Sequence, residues 1–382
     1  MKILMLVSSM HAGGAERVAA TLVNAWAERG DEVTLLPTYS DKGSCFYPVS
    51  DDVALVWLAD LARVRGGGPA AAARRLLALR RYIAQARPDV VVSFLTNVNV
   101  AAILATRGLG IPVIACERTN PAAGAGVGAL LGAARRLAYP LAELVTVQAQ
   151  ATVAPFRQMV PGLRAMAVIP NPLPPELAAA PVAARLPAVD ERRRLMAMGR
   201  LVPSKQFDLL IDVYAQLAPA HPRWDLCIWG EGPDRDALQA RIDGLGLAGR
   251  ITLAGRTETP WQALAEGDAF VLTSALEGFP NVLLEAMALG LPCAAFDCPS
   301  GPREMSRDGQ DALLVPNGDR QALRQALERL MGDAALRVAL AEQGARSVRE
   351  RYALPAVLRQ WDALFAQVGA APANSKQETT HD

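Results

Sequence analysis

Residues 272–296 read LTSALEGFPNVLLEAMALGLPCAAF. Two strand-like apolar runs flank a helical run. Pro280 suits a first helical position, because its missing N–H would be unpaired there anyway. Gly290 and Pro292 mark the stop. Between them Val282, Leu283, Leu284, Ala286, Met287, Ala288 and Leu289 leave almost no polar face, so the helix is expected to be buried. Glu285 on such a helix needs a partner, since an isolated buried carboxylate is strongly disfavoured. A second acid, Glu277, stands in the loop just before the helix. A rise of about 1.5 Å per residue puts Glu285 about 7 to 8 Å further along the axis.

Working outward, short apolar runs alternate with longer helical ones. "KILMLVS", "EVTLLP", "DVVVSFL", "PVIACE" and "ELVTVQ" read as strands in the first half. "RLMAMGRL", "WDLCIWG", "ITLAG", "DAFVLTS" and "LPCAAF" read so in the second. Continuous apolar strands joined by helices mean parallel sheets covered on both faces. The chain does this twice, which predicts an α/β protein of two doubly wound, Rossmann-like domains facing across a cleft. The proline- and alanine-rich stretch at 171–186 reads as the linker between domains 1–170 and 187–353. A last helix near 354–368 is open to either domain, and the polar tail 371–382 is expected to be disordered.

Composition excludes several classes. Half of the 382 residues are apolar and the net charge is +1, so no global field suggests a nucleic-acid partner. Five cysteines without a C-x-x-C pair and three scattered histidines argue against a disulfide frame or a zinc site. The short N-terminal run is strand-like rather than a signal peptide, and no run is long enough for a membrane span. A cytoplasmic protein is expected.

In doubly wound sheets ligands bind beyond the carboxyl ends of the strands. Gly13 and Gly14 stand between the first strand and a helix, where backbone N–H groups approach a phosphate. His11 lies in the same loop, as a catalytic or a merely solvated histidine. "PVIACERTNP" ends a strand with Glu117, Arg118 and Asn120, placed for an acceptor or catalytic role or for a solvated loop. Asn97 lies in a similar place, with helix capping as the plainer alternative. In the second half Arg200 ends a strand, and Lys205 lies near a helix start, where a cation opposes the helix dipole. An anion bound between the two explains that placement. Gly230 and Gly232 form the next turn, with Gly230 a candidate donor-binding residue. Asp234 and Asp236 imitate a metal-binding D-x-D, but residues i and i+2 on a helix do not face each other. They read as helix-start acids, and no metal or other cofactor is expected.

Two carboxylates spaced as Glu277 and Glu285 are would accept hydrogen bonds from two sets of hydroxyls on one extended ligand. A ribose at Glu285, a hexose at Glu277 and a diphosphate at Arg200 and Lys205 make a nucleotide sugar.

The E-x7-E of Glu277 and Glu285 resembles the family-4 retaining glycosyltransferases of the GT-B fold. "GGAER", "VIPNP", "GRL" with Lys205, "GEGP" and "EGFPNVLLEAMALGLP" match in the right order over nearly the whole chain. The resemblance implies that Glu285 holds the ribose and Glu277 contacts the transferred sugar. It implies that Arg200 and Lys205 neutralise the leaving diphosphate, with Gly14 offering its N–H. Backbone N–H groups of Gly278, Phe279 and Asn281 would line the pocket. Some members carry a histidine near the donor sugar, from the strand end where this chain has "CERTN", so the resemblance names no acceptor-side group here; Glu117 stands at that strand end as a catalytic candidate. The resemblance further implies a UDP-sugar donor, or else GDP-mannose, and a lipid-linked acceptor for a bacterial surface glycan. A sugar-nucleotide epimerase or phosphorylase of the same architecture, or a sugar-binding protein without catalysis, are the alternatives.

Between residues 63 and 87 lie seven arginines and no acid. Leu76, Leu79 and Ile83 share a helical stripe flanked by Arg75 and Arg80. It reads either as an interfacial membrane helix at the inner membrane face or as a core-facing stripe with a solvated basic face.

Overall fold

The computed structural model describes residues 1–11, 13–39, 45–64, 68–118, 128–179 and 192–370. Two compact units emerge: Met1–Pro172 with Pro355–Asp382, and Leu173–Leu354.

The first unit is built on seven parallel strands: β1 (Lys2–Val7), β2 (Glu32–Pro37), β3 (Val53–Leu55), β4 (Val90–Phe94), β5 (Val113–Cys116), β6 (Leu144–Val147) and β7 (Met166–Val168). Their spatial order is β3-β2-β1-β4-β5-β6-β7. β4 and β5 are buried at every residue. That is why they read as unbroken apolar runs rather than alternating ones. Strand order reverses direction between β1 and β4, the kind of switch point at which such sheets bind ligands.

The second unit repeats the plan with six parallel strands: β8 (Arg193–Met198), β9 (Trp224–Trp229), β10 (Ile251–Gly255), β11 (Ala269–Leu272), β12 (Cys293–Phe296) and β13 (Leu313–Val315). The order is β10-β9-β8-β11-β12-β13, with the switch between β8 and β11.

The stretch read as linker is structured in part. Leu173 donates its N–H to the Tyr352 carbonyl at 2.7 Å. A short helix, Pro175–Ala179, buries Leu177 in the core of the second unit. Residues 180–186 of the expected linker and the tail 371–382 lie outside the described residues. The last helix, Leu354–Gln367, belongs to the first unit. Its Trp361 and Phe365 each pack 5.5 Å from the Trp26 ring, and its Asp362 pairs with Arg29 at 2.6 Å.

The basic helix is Pro69–Ala86. Leu79 and Ile83 are fully buried in the first core, with Leu76 packed against it. The stripe therefore faces the core, which removes it as a membrane face. Arg80 donates to the carbonyls of Ala105 and Arg107. The opposite face exposes Arg74, Leu77 and Arg81. No helix among the described residues is long and apolar enough to cross a membrane.

Candidate active site

In the second unit β8 runs into a tight loop. Gly199 leaves the strand, Arg200 is exposed, and a 3-10 turn, Pro203–Lys205, leads through Gln206 at φ 52° into the helix Phe207–Leu217. The next loop, after β9, is pressed against this one. A Cβ on Gly230 would stand 1.8 Å from the Gly199 carbonyl oxygen, and one on Gly232 would stand 2.1 Å from that of Leu201. Gly230 also holds φ at 145°, a conformation open in practice only to glycine. Its N–H donates to the Gly255 carbonyl at 2.7 Å. Gly230 thus seats the Arg200 loop, with its own N–H already engaged.

The helix of the opening segment is Asn281–Ala288, with Pro280 at its N-cap, so it starts one residue later than the sequence suggests. It buries Leu283, Leu284, Ala286, Met287 and Ala288, and Glu285 is only 3% exposed. Because the helix starts at Asn281, about 6 Å of axial rise leads to Glu285. The remaining separation from Glu277 is loop. Phe279 packs its ring on Tyr352, so only its backbone is available to a ligand. The Asn281 N–H donates to the Phe279 carbonyl at 2.9 Å, so it is already engaged, unlike the free donor the resemblance implied.

Glu277 and Lys205 meet. The Lys205 Nζ donates to Glu277 Oε1 at 2.5 Å, with the side chains 20% and 11% exposed. The anion facing Lys205 is therefore a carboxylate of the chain itself. Arg200 has no ion-pair partner among the described residues.

Three side chains that sequence reading missed hold this geometry. Thr273 Oγ1 donates to the Lys205 carbonyl at 2.8 Å, Ser300 Oγ to the Glu277 carbonyl at 2.7 Å, and Asn317 Nδ2 to the Ala275 carbonyl at 3.0 Å. The Ala275 N–H closes onto the Ser204 carbonyl at 2.8 Å. The signal for the Ser300 loop was "CPSGP". Gly301 sits at φ 115°, and a Cβ there would stand 2.5 Å from Pro280 Cδ. Nearby Cys298 is pushed up to about 12 by burial, so it stays a thiol at neutral pH and is no nucleophile.

Asp234 stands at the N-cap position of the helix Arg235–Gly244 without a side-chain capping bond, and Asp236 lies in its first turn. No group of three or more potential metal ligands occurs among the described residues.

In the first unit Gly14 opens the helix Gly14–Glu28 and is exposed, as is His11. The Glu16 carboxylate folds back over Gly13, so close that a Cβ there would touch it at 2.2 Å, and accepts from Ser9 Oγ at 3.2 Å. An acid of the chain thus occupies part of the place assigned to a phosphate. After β4, Leu95 takes φ 76°, an uncommon value for a branched residue, and starts the helix Thr96–Thr106. Neither Thr96 nor Asn97 caps it through a side chain. Thr96 Oγ1 instead donates to both oxygens of Glu117, at 3.0 and 3.1 Å. Tyr139 donates to Glu117 Oε1 at 2.5 Å, and Asn99 Nδ2 donates to the Tyr139 oxygen at 2.8 Å. Glu117 is 2% exposed, and burial raises its pKa despite these bonds and the nearby Arg135. Its carboxylate is a brace inside the unit rather than an open base. Asn97 is half-buried. Arg118 is 8% exposed and stacks 3.6 Å over the Phe94 ring. Asn120 lies outside the described residues.

The second unit is thus doubly wound, with the Lys205–Glu277 pair and exposed Arg200 in loops after its strands and buried Glu285 on the helix that follows. The domain family described as glycosyl transferases group 1 matches residues 183–347, and the glycosyl transferase 4-like domain matches residues 13–175. The chain belongs to the family-4 glycosyltransferases of the GT-B fold, and it is a glycosyltransferase enzyme. It is 41% identical over 170 residues to an exopolysaccharide phosphotransferase of Streptomyces coelicolor, covering 44% of this chain but only 18% of that protein. It is 24% identical to a Campylobacter jejuni GalNAc-alpha-(1->4)-GalNAc-alpha-(1->3)-diNAcBac-PP-undecaprenol alpha-1,4-N-acetyl-D-galactosaminyltransferase, over 96% of this chain and 99% of that one. Its fold matches that of Anabaena HepE, solved in complex with UDP, at a TM-score of 0.77 and 20% identity, over 96% and 100% of the two chains.

Proposed function

We propose that this enzyme transfers a hexose or N-acetylhexosamine from a nucleotide diphosphate sugar to a growing glycan, with retention at the anomeric carbon. UDP-sugars are the favoured donors and GDP-mannose the second choice. A polyprenyl-linked oligosaccharide for a bacterial surface polysaccharide is the proposed acceptor. The observation that carries the reading is the Lys205–Glu277 pair, formed from the loop that also exposes Arg200 and from the loop that leads into the helix burying Glu285. The lipid-diphosphate acceptor in the name of the Campylobacter relative and the UDP in the Anabaena structure support the choice of substrates.

In this reading the ribose hydroxyls donate to Glu285, and Arg200 and Lys205 bind the diphosphate. Lys205 holds one oxygen of Glu277, and the carboxylate keeps lone pairs for hydroxyls of the transferred sugar. The bond between the anomeric carbon and the phosphate oxygen breaks, and its electron pair stays on the phosphate. Two fixed cations stabilise that charge, usually the largest single contribution to such catalysis, so no essential metal is needed. The acceptor hydroxyl attacks from the side the phosphate leaves and gives its proton to the departing phosphate. The test is a nucleotide-release assay over a panel of UDP-sugars and GDP-mannose with a lipid-linked acceptor. Release without any acceptor would favour the epimerase or phosphorylase alternative.

Peripheral attachment to the inner face of the membrane belongs to the same proposal. Leu130 and Leu137 on the helix Ala129–Ala138 are 87% and 77% exposed. That helix and Pro69–Ala86 both pack against Thr96–Thr106. Exposed Leu77, Arg74, Arg81 and Arg136 add to an apolar and basic surface suited to anionic lipid.

A further inference from the structure

Three strand ends of the first unit converge on one atom. Arg118 follows β5, Gln148 follows β6 and Asn171 follows β7. Arg118 Nη1 and Gln148 Nε2 both donate to Asn171 Oδ1, each at 2.7 Å. The Phe94 ring beneath the guanidinium fixes its plane. After these contacts Arg118 Nε and Nη2, and Gln148 Oε1, are buried without a hydrogen-bond partner among the described residues.

Among the described residues the arginine also lacks a counter-charge. Glu117, its neighbour, is taken by Thr96 and Tyr139. Arg135 is the cation that acts on that carboxylate. The Cys116 thiol touches Arg118, but burial keeps it protonated. Residues 119–127, TNPAAGAGV, contain no acid. Burial lowers the Arg118 pKa to about 10, so the side chain is still charged at neutral pH. A buried charge without a partner is strongly unfavourable, and a ligand that supplies the missing anion relieves it. The edge left without a partner among the described residues also has a shape that suits an anion. With the same Nε and Nη2 atoms Arg241 grips both oxygens of Asp212 at 2.6 Å, and Arg307 grips those of Asp311 at 2.7 and 2.6 Å.

We propose that Arg118 and Gln148 form a recognition site in the first unit for an acidic, hydroxyl-bearing group of the acceptor. Arg118 takes two oxygens of the anion in a forked contact, and Gln148 Oε1 accepts from an adjacent hydroxyl. The chemistry fits the carboxylate of a uronic acid and fits a sugar-linked phosphate equally. The inference rests on the transferase reading for calling this ligand the acceptor.

The test titrates glucuronate, inorganic pyrophosphate and, as neutral control, glucose into the full chain, with the donor site first filled by saturating UDP. Binding is read by calorimetry or ligand NMR for the wild type, Arg118→Met, Arg118→Lys and Gln148→Leu. The expected result is that one anion binds, glucose does not, and Arg118→Met weakens the anion at least ten-fold. Arg118→Lys should weaken it less, since it keeps the charge and loses the fork. Gln148→Leu should weaken glucuronate if the hydroxyl contact is made. Preference for glucuronate identifies an acidic sugar, and preference for pyrophosphate identifies a diphosphate-linked acceptor. Ligand-free Arg118→Met should also melt higher than the wild type, because an uncompensated charge is gone while Asn171 keeps its bond from Gln148. The proposal is overturned if neither anion binds, if Arg118→Met and Arg118→Lys bind like the wild type, or if Arg118→Met melts lower, which would mark a structural arginine. Failure of UDP itself to bind would instead sink the transferase reading.

Discussion

Glu277→Gln is the most informative single change. In the structure Glu277 Oε1 lies 2.5 Å from Lys205 Nζ, with both side chains largely buried. The variant keeps the shape but leaves the ammonium without its counter-charge. Removing one partner of a fully buried pair costs about 3–5 kcal/mol, and exposed pairs are worth about 0–1 kcal/mol. A pair at this depth falls between, at about 2 kcal/mol, which for a unit of this size lowers Tm by about 4–8 °C. Lys205→Met should lower it similarly, and the double variant should lose less than the sum, because the pair is a single unit. Kinetically, Glu277 is assigned to the sugar, where charge develops, so kcat should fall by about 10² or more. Glu285→Gln provides the contrast: the ribose does not react, so donor KM should rise more than kcat falls. The assays are thermal denaturation, initial rates of nucleotide release, and circular dichroism to check the fold. Additive Tm losses in the double variant would refute the pair as a unit. Near-normal kcat in Glu277→Gln together with an inactive but folded Glu285→Gln would refute the assigned roles.

Activity should survive excess EDTA, because Arg200 and Lys205 supply the positive charge; loss on chelation that magnesium or manganese restores would contradict this. The protein should float with vesicles of anionic lipid at low salt and release at high salt, as surface attraction is screened; recovery in the soluble fraction at every salt concentration would dismiss the surface carrying Leu130 and Leu137. Burial raises the folded-state pKa of Glu117 above its ordinary 4.5, so its contribution to stability is intact below about that pH and is lost as pH rises through the folded value. Glu117→Gln cannot ionise, so its Tm should gain on the wild type as pH increases from 4.5 toward neutrality, and a constant difference would show that Glu117 is not held as described.

Of the ten strands that announce themselves as apolar runs, nine are interior to the two sheets and one, β10, is an edge strand. β3, β7 and β13 escaped because each has three residues, too few for a pattern, and each lies at a sheet edge. The linker was misjudged at Leu173–Ala179 because prolines there break the alternation without removing the segment from the core. In the site, Glu277, Lys205, Arg200 and Glu285 were legible as charges misplaced for simple helix or strand chemistry. Their mutual arrangement was not, since the Lys205–Glu277 contact joins loops 72 positions apart. Thr273, Ser300 and Asn317 gave no signal because a single hydroxyl or amide at a strand end looks like ordinary loop. Gly230 gave no sign of its packing role, because the approach of the Gly199 carbonyl that demands a glycine there joins two loops distant in sequence.

The central claim is that the second unit binds a nucleotide diphosphate through Arg200 and Lys205. Arg200→Ala isolates it, because Arg200 is exposed and has no ion pair among the described residues to lose. UDP binding should be measured by calorimetry in EDTA for the wild type and this variant. A charge-assisted hydrogen bond of about 1.5–3 kcal/mol predicts that Kd rises by roughly ten-fold or more, with Tm unchanged. Equal Kd for the two proteins, or no binding of UDP or GDP by either, would contradict the account.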